Sequence, residues 1–156
     1  EIDTNYWYIA ATFVLIGGGM GLTMAPSTTA VMDSVPESKA GVGSATNDAS
    51  REVGGALGIA VGGSVLNQIY QSSINIPDSA LGQSDTIESS FPSAINVGKQ
   101  MIADGNSEGA ELIASAKEAF LDGMIAACLV AACVAIIAAL IVKWKLPNDD
   151  YFSEEE

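Results

Sequence analysis

The chain has 156 residues, 49% of them hydrophobic, and its 19 acidic against 6 basic residues give a formal net charge of −13. That charge excludes a basic nucleic-acid-binding surface, because Lys and Arg must neutralise the phosphates. There is no histidine, which excludes a Ser-His-Asp hydrolytic triad, and the sequence shows no cluster of metal ligands. We therefore predict neither an enzyme nor a metal or cofactor site.

Three stretches contain no charged residue: Trp7 to Met32, Val53 to Tyr70 and Gly123 to Val142. Each is close to the roughly 20 apolar residues that cross a hydrocarbon core of about 30 Å. A surface helix of a soluble protein carries charged residues on its wet face, and these stretches have no such face. The sequence therefore predicts an all-α integral membrane protein with three transmembrane helices.

The first transmembrane helix is predicted over about residues 6–32. Aromatic residues at positions 6–8 open it, as is typical of a membrane interface, where a ring with a polar tip is stable. Gly21 allows another helix to approach closely, and Pro26 allows a kink. A cytoplasmic connector is predicted to follow, from Asp33 to about Arg51.

The connector contains Pro36 and the glycines at positions 41 and 43, which favour a turn. The second transmembrane helix is predicted over about residues 43–70. A spacing of four residues gives it one smooth face on which another helix can pack, formed by Gly54, Gly58 and Gly62.

Residues 71–118 form a long loop rich in Ser, Asn, Asp and Gly. Its early half, through Pro77 and Pro92, is predicted to be irregular. Its later half, from Ala110 to Phe120, is predicted to be a short helix that runs into the third span, with Ser107 as its cap.

The last transmembrane helix is predicted over residues 119–145, with Asp122 as a helix-start residue and residues 146–156 as a tail. Lys143 and Lys145 anchor its end and, by the positive-inside rule, place the C-terminus in the cytoplasm. Because successive spans alternate in direction, the connector is also cytoplasmic and loop 71–118 is external. The predicted location is the cell membrane.

Asp48, Arg51 and Glu52 are the candidates for a functional site. Asp48 and Glu52 are one helical turn apart and share a face, and Arg51 is close enough to pair with Asp48. An ionisable residue inside a membrane is costly and is a functional candidate for that reason. The alternative, which the sequence leaves open, is that these are solvated residues at a helix entrance.

An ordered set of small and polar residues runs through the first two spans. It consists of Gly21-Leu22, Pro26, Val35-Pro36, Gly41, Gly43-Ser44-Ala45, Asn47, Arg51, Gly54-Gly55, Gly58 and Gly62. With the long loop, Ala119 to Gly123 and the Ala-rich last span, this pattern resembles the C-terminal end of the 14-helix drug:proton antiporters of the major facilitator superfamily. These antiporters are related to the EmrB and QacA multidrug exporters.

The resemblance implies that the three spans are the last three helices of a C-terminal bundle. It also implies that the loop is this group's extended last external loop. The partners would be the lipid bilayer, protons, a small-molecule substrate and the remaining helices of the same transporter. In multidrug members, acidic residues near the start of the penultimate helix are implicated in proton coupling or cation recognition, and Asp48 and Glu52 occupy matching places.

Two other interpretations remain open. One is a non-transporting three-span membrane protein or assembly subunit whose external loop binds a partner. The other is a soluble helical protein with a Gly/Ala-rich core, which would be extracted from cells without detergent.

The topology is tested by introducing single cysteines at Ser89 and Ser153, with Cys128 and Cys133 of the last apolar stretch replaced by serine. We expect a membrane-impermeant thiol reagent to label intact cells at position 89 and not at position 153. The reverse pattern would show that the predicted orientation is wrong.

Overall fold

The structure, a computed structural model, describes residues 6–145, and the predicted tail at 146–156 lies outside the described residues. Three of its helices are long and apolar enough to cross a membrane, which confirms the prediction of a helical chain with three candidate spans. The elements are α1 (Tyr6–Asp33), a 3-10 helix (Glu37–Lys39), α2 (Ala40–Ser73), a second 3-10 helix (Asp78–Gln83), α3 (Ser84–Ser89), α4 (Phe91–Ala103) and α5 (Glu108–Lys145).

The chain divides into two compact units that meet within α2, one ending at Ala56 and the other starting at Leu57. In the first unit, α1 buries none of its residues, and Leu22 is 81% exposed. A helix that is apolar on every side requires lipid or other helices around it. The most apolar windows of the three spans are 0%, 6% and 0% buried, so the described residues do not form the Gly/Ala-rich soluble core considered above.

The turn between α1 and α2 is shorter than predicted. The amide of Val35 donates to the carbonyl of Met32 at 3.2 Å, and α2 already begins at Ala40. Gly43 therefore lies inside the helix, where a Cβ would meet Cγ2 of Val35 at 3.2 Å. The glycine serves a close contact with the turn, not the turn itself.

The second unit contains a buried core between the last two spans, which we call the interspan core. Its members come from the end of α2, the loop helices and the start of α5: Tyr70, Ala80, Ile87, Ala94, Val97, Met101, Leu112, Ala116 and Ala119. Burying one large apolar side chain contributes about 1.5–3 kcal/mol. The hydroxyl of Tyr70 donates to the carbonyl oxygen of Ile87 at 3.0 Å, so its polar tip is paired inside the core.

The prediction that the early half of the loop is irregular is wrong. Ser90 is the N-cap of α4 and accepts from the amide of Ser93, while Pro92 occupies the first turn, where its missing N–H costs nothing. Ala94, Val97 and Met101 are buried on one face of α4. This spacing is the sequence signal for an amphipathic helix, and the polar composition of the loop concealed it.

The junction between α4 and α5 is a tight helical hairpin. Gly105 has φ +84°, and the amide of Asn106 donates to the carbonyl of Met101 at 2.8 Å, which is the Schellman arrangement at a helix end. The Asn106 side chain then accepts from the amide of Glu108 at 3.0 Å. Ser107 directly precedes α5, but Asn106 supplies this capping bond.

Two glycines, Gly98 of α4 and Gly109 of α5, let these helices approach closely. A Cβ on Gly98 would lie 2.9 Å from the carbonyl oxygen of Gly109, and a Cβ on Gly109 would meet the carbonyl oxygen of Gly98 and the Cβ of Met101. Backbone atoms cannot rotate away as a side chain can. The close approach therefore depends on both glycines.

We predict that Gly109→Ala destabilises the hairpin by about 1–3 kcal/mol, the usual cost of overpacking. The measurement is limited proteolysis of the intact protein in detergent. Cleavage between α2 and α5 should accelerate by about tenfold, because each 1.4 kcal/mol changes an opening equilibrium tenfold. Gly82→Ala is the matched control, since a Cβ there meets nothing within 4 Å. Equal cleavage of the two variants would contradict the prediction.

Candidate functional site

The predicted ionisable residues lie well inside a helix. Because α2 begins at Ala40 and rises 1.5 Å per residue, Asp48 lies about 12 Å and Glu52 about 18 Å along its axis from the start. The two carboxylates are one turn apart on a shared face, and both residues are exposed in the described part of the chain. The continuous helix holds them at a constant separation.

Arg51 is next to Glu52 in sequence, but its side chain reaches α1. Its Nη2 donates to Thr28 Oγ1 at 2.7 Å and to the carbonyl oxygen of Met24 at 3.4 Å. The pairing with Asp48 that the helical spacing allows is not formed within residues 6–145. The structure thus separates the guanidinium from the carboxylates by giving it partners on another helix.

Four of the five Ser and Thr hydroxyl groups of α1 donate to a carbonyl of the same helix. Thr12 donates to the carbonyl of Tyr8 at 2.8 Å, and Thr23 donates to the carbonyl of Gly19 at 2.7 Å. Such back-bonding satisfies a hydroxyl without water, so these side chains suit an apolar environment. The Ser and Thr content of the first span is therefore compatible with the membrane.

The glycines of the pattern that resembles the antiporters differ in whether another residue lies close to them. A Cβ would meet nothing within 4 Å among the described residues at the following positions: Gly21, Gly54, Gly55, Gly58 and Gly62. Their role in helix packing stays a prediction, while Gly43 contacts Val35 as described. Pro26 lies inside α1, and Asn47 is partly buried.

Gly123 is a close-contact position that sequence reasoning did not assign to packing. A Cβ there would lie 2.6 Å from the carbonyl oxygen of Leu66, so α5 touches the backbone of α2 at this residue. Ala119 and Gly123 are small residues four positions apart, and this spacing is the sequence signal that could have predicted the contact.

A polar groove lies between the end of α2 and α5. Its carboxylates come from one face of α5 and are those of Glu111, Glu118 and Asp122. Ser115 lies between them and accepts from the amide of Asn75 at 2.7 Å. Asp122 lies far inside α5, which starts at Glu108, so the prediction that Asp122 is a helix-start residue is wrong. Within residues 6–145, no group of three or more His, Cys, Asp or Glu is placed to hold a metal ion.

The chain is similar to curated multidrug efflux and resistance proteins. It is 28% identical over 135 residues to the multidrug efflux pump LfrA of Mycolicibacterium smegmatis, which covers 86% of the chain and 26% of LfrA. It is 32% identical over 145 residues to the multidrug resistance protein Stp of Mycobacterium tuberculosis, with the same two coverages. A match at 30% identity to the methyl viologen resistance protein SmvA of Salmonella typhimurium covers 49% of the chain and 16% of SmvA.

The chain therefore spans about a quarter of the length of LfrA and Stp. These relatives are efflux and resistance proteins and not enzymes by name. No protein family's profile matches the chain, and no solved structure matches it.

Proposed function

We propose that this chain is the C-terminal part of a drug:proton antiporter of the major facilitator superfamily, of the 14-helix group related to EmrB and QacA. The complete transporter would export a small molecule from the cell in exchange for protons. The observation that carries the proposal is the similarity of 28–32% to LfrA and Stp through 86% of the chain. The three apolar helices, whose most apolar windows are almost entirely unburied, agree with it, because such helices need lipid and neighbouring helices.

In this proposal the chain is in the cell membrane with its C-terminus and the α1–α2 turn in the cytoplasm and the interspan core outside. Its partners are lipid, protons, the substrate and the remaining helices of the transporter. Transport in such proteins proceeds by rocking one helical bundle against another around a central site. α1, α2 and α5 would belong to one of these bundles.

Asp48 and Glu52 are the proposed proton-coupling or substrate residues. They lie on one face of a long helix, and the guanidinium of Arg51 is engaged by α1 instead of by either carboxylate. A carboxyl group favours its neutral, protonated form in apolar surroundings and its charged form in water. A residue that alternates between these surroundings during transport can carry a proton with each cycle.

The test uses Asp48→Asn and Glu52→Gln, separately, in the complete transporter. Each change preserves shape but removes the group that takes up a proton. We expect at least one variant to lose about tenfold or more of proton-driven efflux, equivalent to about 1.4 kcal/mol on the coupled step, and to lose dependence on external pH. Fluorescent drug efflux is measured across a pH series.

Asp85→Asn is the matched control, because Asp85 is an exposed carboxylate in the first turn of α3. It should leave efflux unchanged. Efflux identical to wild type at every pH in both test variants would remove Asp48 and Glu52 as coupling residues.

Residues 1–156 expressed alone are expected to give no proton-coupled efflux, because three spans enclose only part of a transport pathway. The same drug-efflux assay in cells expressing only this chain checks the expectation. Efflux above that of empty-vector cells would contradict the proposal that further helices are required.

A further inference from the structure

The contact between Arg51 and α1 is made to neutral acceptors. The guanidinium nitrogen Nη2 has two hydrogens, and it lies 2.7 Å from Thr28 Oγ1 and 3.4 Å from the Met24 carbonyl oxygen. Between Tyr6 and Met32, α1 has no Asp, Glu, Lys or Arg, and its one acidic residue, Asp33, is the last residue of the helix. The charged side chain therefore binds a hydroxyl and a backbone carbonyl.

The acceptors lie at the turn of α1 that contains Pro26. Met24 is two residues before the proline, and its carbonyl oxygen also accepts from Ser27 Oγ at 3.2 Å and from Thr28 Oγ1 at 2.9 Å. Proline supplies no N–H to the helix and crowds the preceding turn. The additional donors go to the carbonyl of Met24, whereas the carbonyl that loses its helical donor at Pro26 is that of Leu22, four residues before it.

The hydrogen bonds at Thr28 have a defined direction. A threonine hydroxyl has one hydrogen, and Thr28 uses it on the Met24 carbonyl. Its oxygen is then left to accept from Arg51. Thr28, Met24 and Arg51 thus form a closed set of bonds, and valine at position 28 would remove one donor and one acceptor without changing the side chain's shape.

The carboxylates on α2 are outside this set. The carboxylates of Asp48 and Glu52 have no hydrogen-bond or ion-pair partner within residues 6–145, although Arg51 is on the same helix. Hydrogen bonds to a charged group are stronger than those between neutral groups. A guanidinium bound to α1 therefore joins the helix of the two carboxylates to the proline turn of its neighbour.

We propose that Arg51 is a positioning residue that ties α2 to the Pro26 turn of α1 through Thr28 and the Met24 carbonyl. The tie holds Asp48 and Glu52 in place relative to α1. Its role in transport rests on the proposed function, whereas the contact between the two helices does not.

The contact is tested in the complete transporter by a double-mutant cycle with Thr28→Val, Arg51→Gln and both together. The midpoint of thermal unfolding of the purified protein in detergent is measured. We expect each single change to lower the midpoint and the double change to lower it by clearly less than the sum, because residues in one network are not additive. Additive shifts would overturn the contact.

Thr23→Val is the matched control, since it makes the same change on the same helix and removes only the bond to the Gly19 carbonyl. It should shift the midpoint less than Thr28→Val and show no coupling to Arg51→Gln. A shift as large as that of Thr28→Val, or equal coupling, would assign the effect to helix α1 in general and overturn the tie.

Efflux measured on the same variants tests the positioning role. Thr28→Val changes no charge and touches neither carboxylate, yet we expect it to lower the efflux rate by about threefold or more in the wild-type background and to have no further effect when Arg51 is already replaced. Normal efflux in Thr28→Val, or a further loss in the double variant, would overturn the role. Absence of efflux in the wild type would overturn the proposed function instead, and the thermal cycle would still decide the contact.

Discussion

Every long helix in this chain depends on one constraint: the backbone must pair its own N–H and C=O groups where the surroundings offer no other partners. α1, α2 and α5 have 28, 34 and 38 residues, about 42, 51 and 57 Å at 1.5 Å per residue. All three exceed the roughly 30 Å of a hydrocarbon core. The hydroxyls of Thr12 and Thr23 follow the same rule by bonding to their own helix.

The constraint is weakest at Pro26, where α1 loses a backbone donor. The polar contact between α1 and α2 lies at this turn, where Arg51 donates to the carbonyl of Met24 and to Thr28 Oγ1. Within α1, the hydroxyls of Ser27 and Thr28 donate to the same carbonyl. An arginine that would be costly alone in an apolar environment is accommodated by acceptors that the proline turn presents. The charge of Arg51 is thus met by hydrogen bonds to the turn of α1 that contains Pro26.

The interspan core follows the opposite principle. Tyr70, Ile87 and Leu112 are 1%, 0% and 0% exposed, so this part of the chain is held by the burial of apolar surface away from water. The glycines at 98 and 109 bring α4 and α5 close enough for such burial. One chain therefore combines helices that keep their apolar surface outward with a small core that keeps it inward.

The three candidate spans could be predicted from sequence alone, from uncharged runs long enough to cross a bilayer, such as Gly123 to Val142. These runs are visible in the sequence because charged residues are excluded from lipid wherever the helices finally lie. The spacing of Asp48 and Glu52 likewise determined their shared face. The partner of Arg51 could not be predicted, since helical spacing favoured Asp48 and only the approach of α1 offered Thr28.

The same distinction between sequence and tertiary structure applies to loop 71–118. Its polar composition was visible in the sequence, but the tertiary structure decided that Val97 and Met101 share a core with Leu112, because a marginal amphipathic helix is stabilised by what it packs against. Tertiary structure also decided which glycines matter for contact. Gly54 and Gly58 have the regular spacing, yet Gly98, Gly109 and Gly123 meet a neighbouring backbone among the described residues. Spacing identifies a smooth face, and only the position of a second helix shows whether that face is in contact.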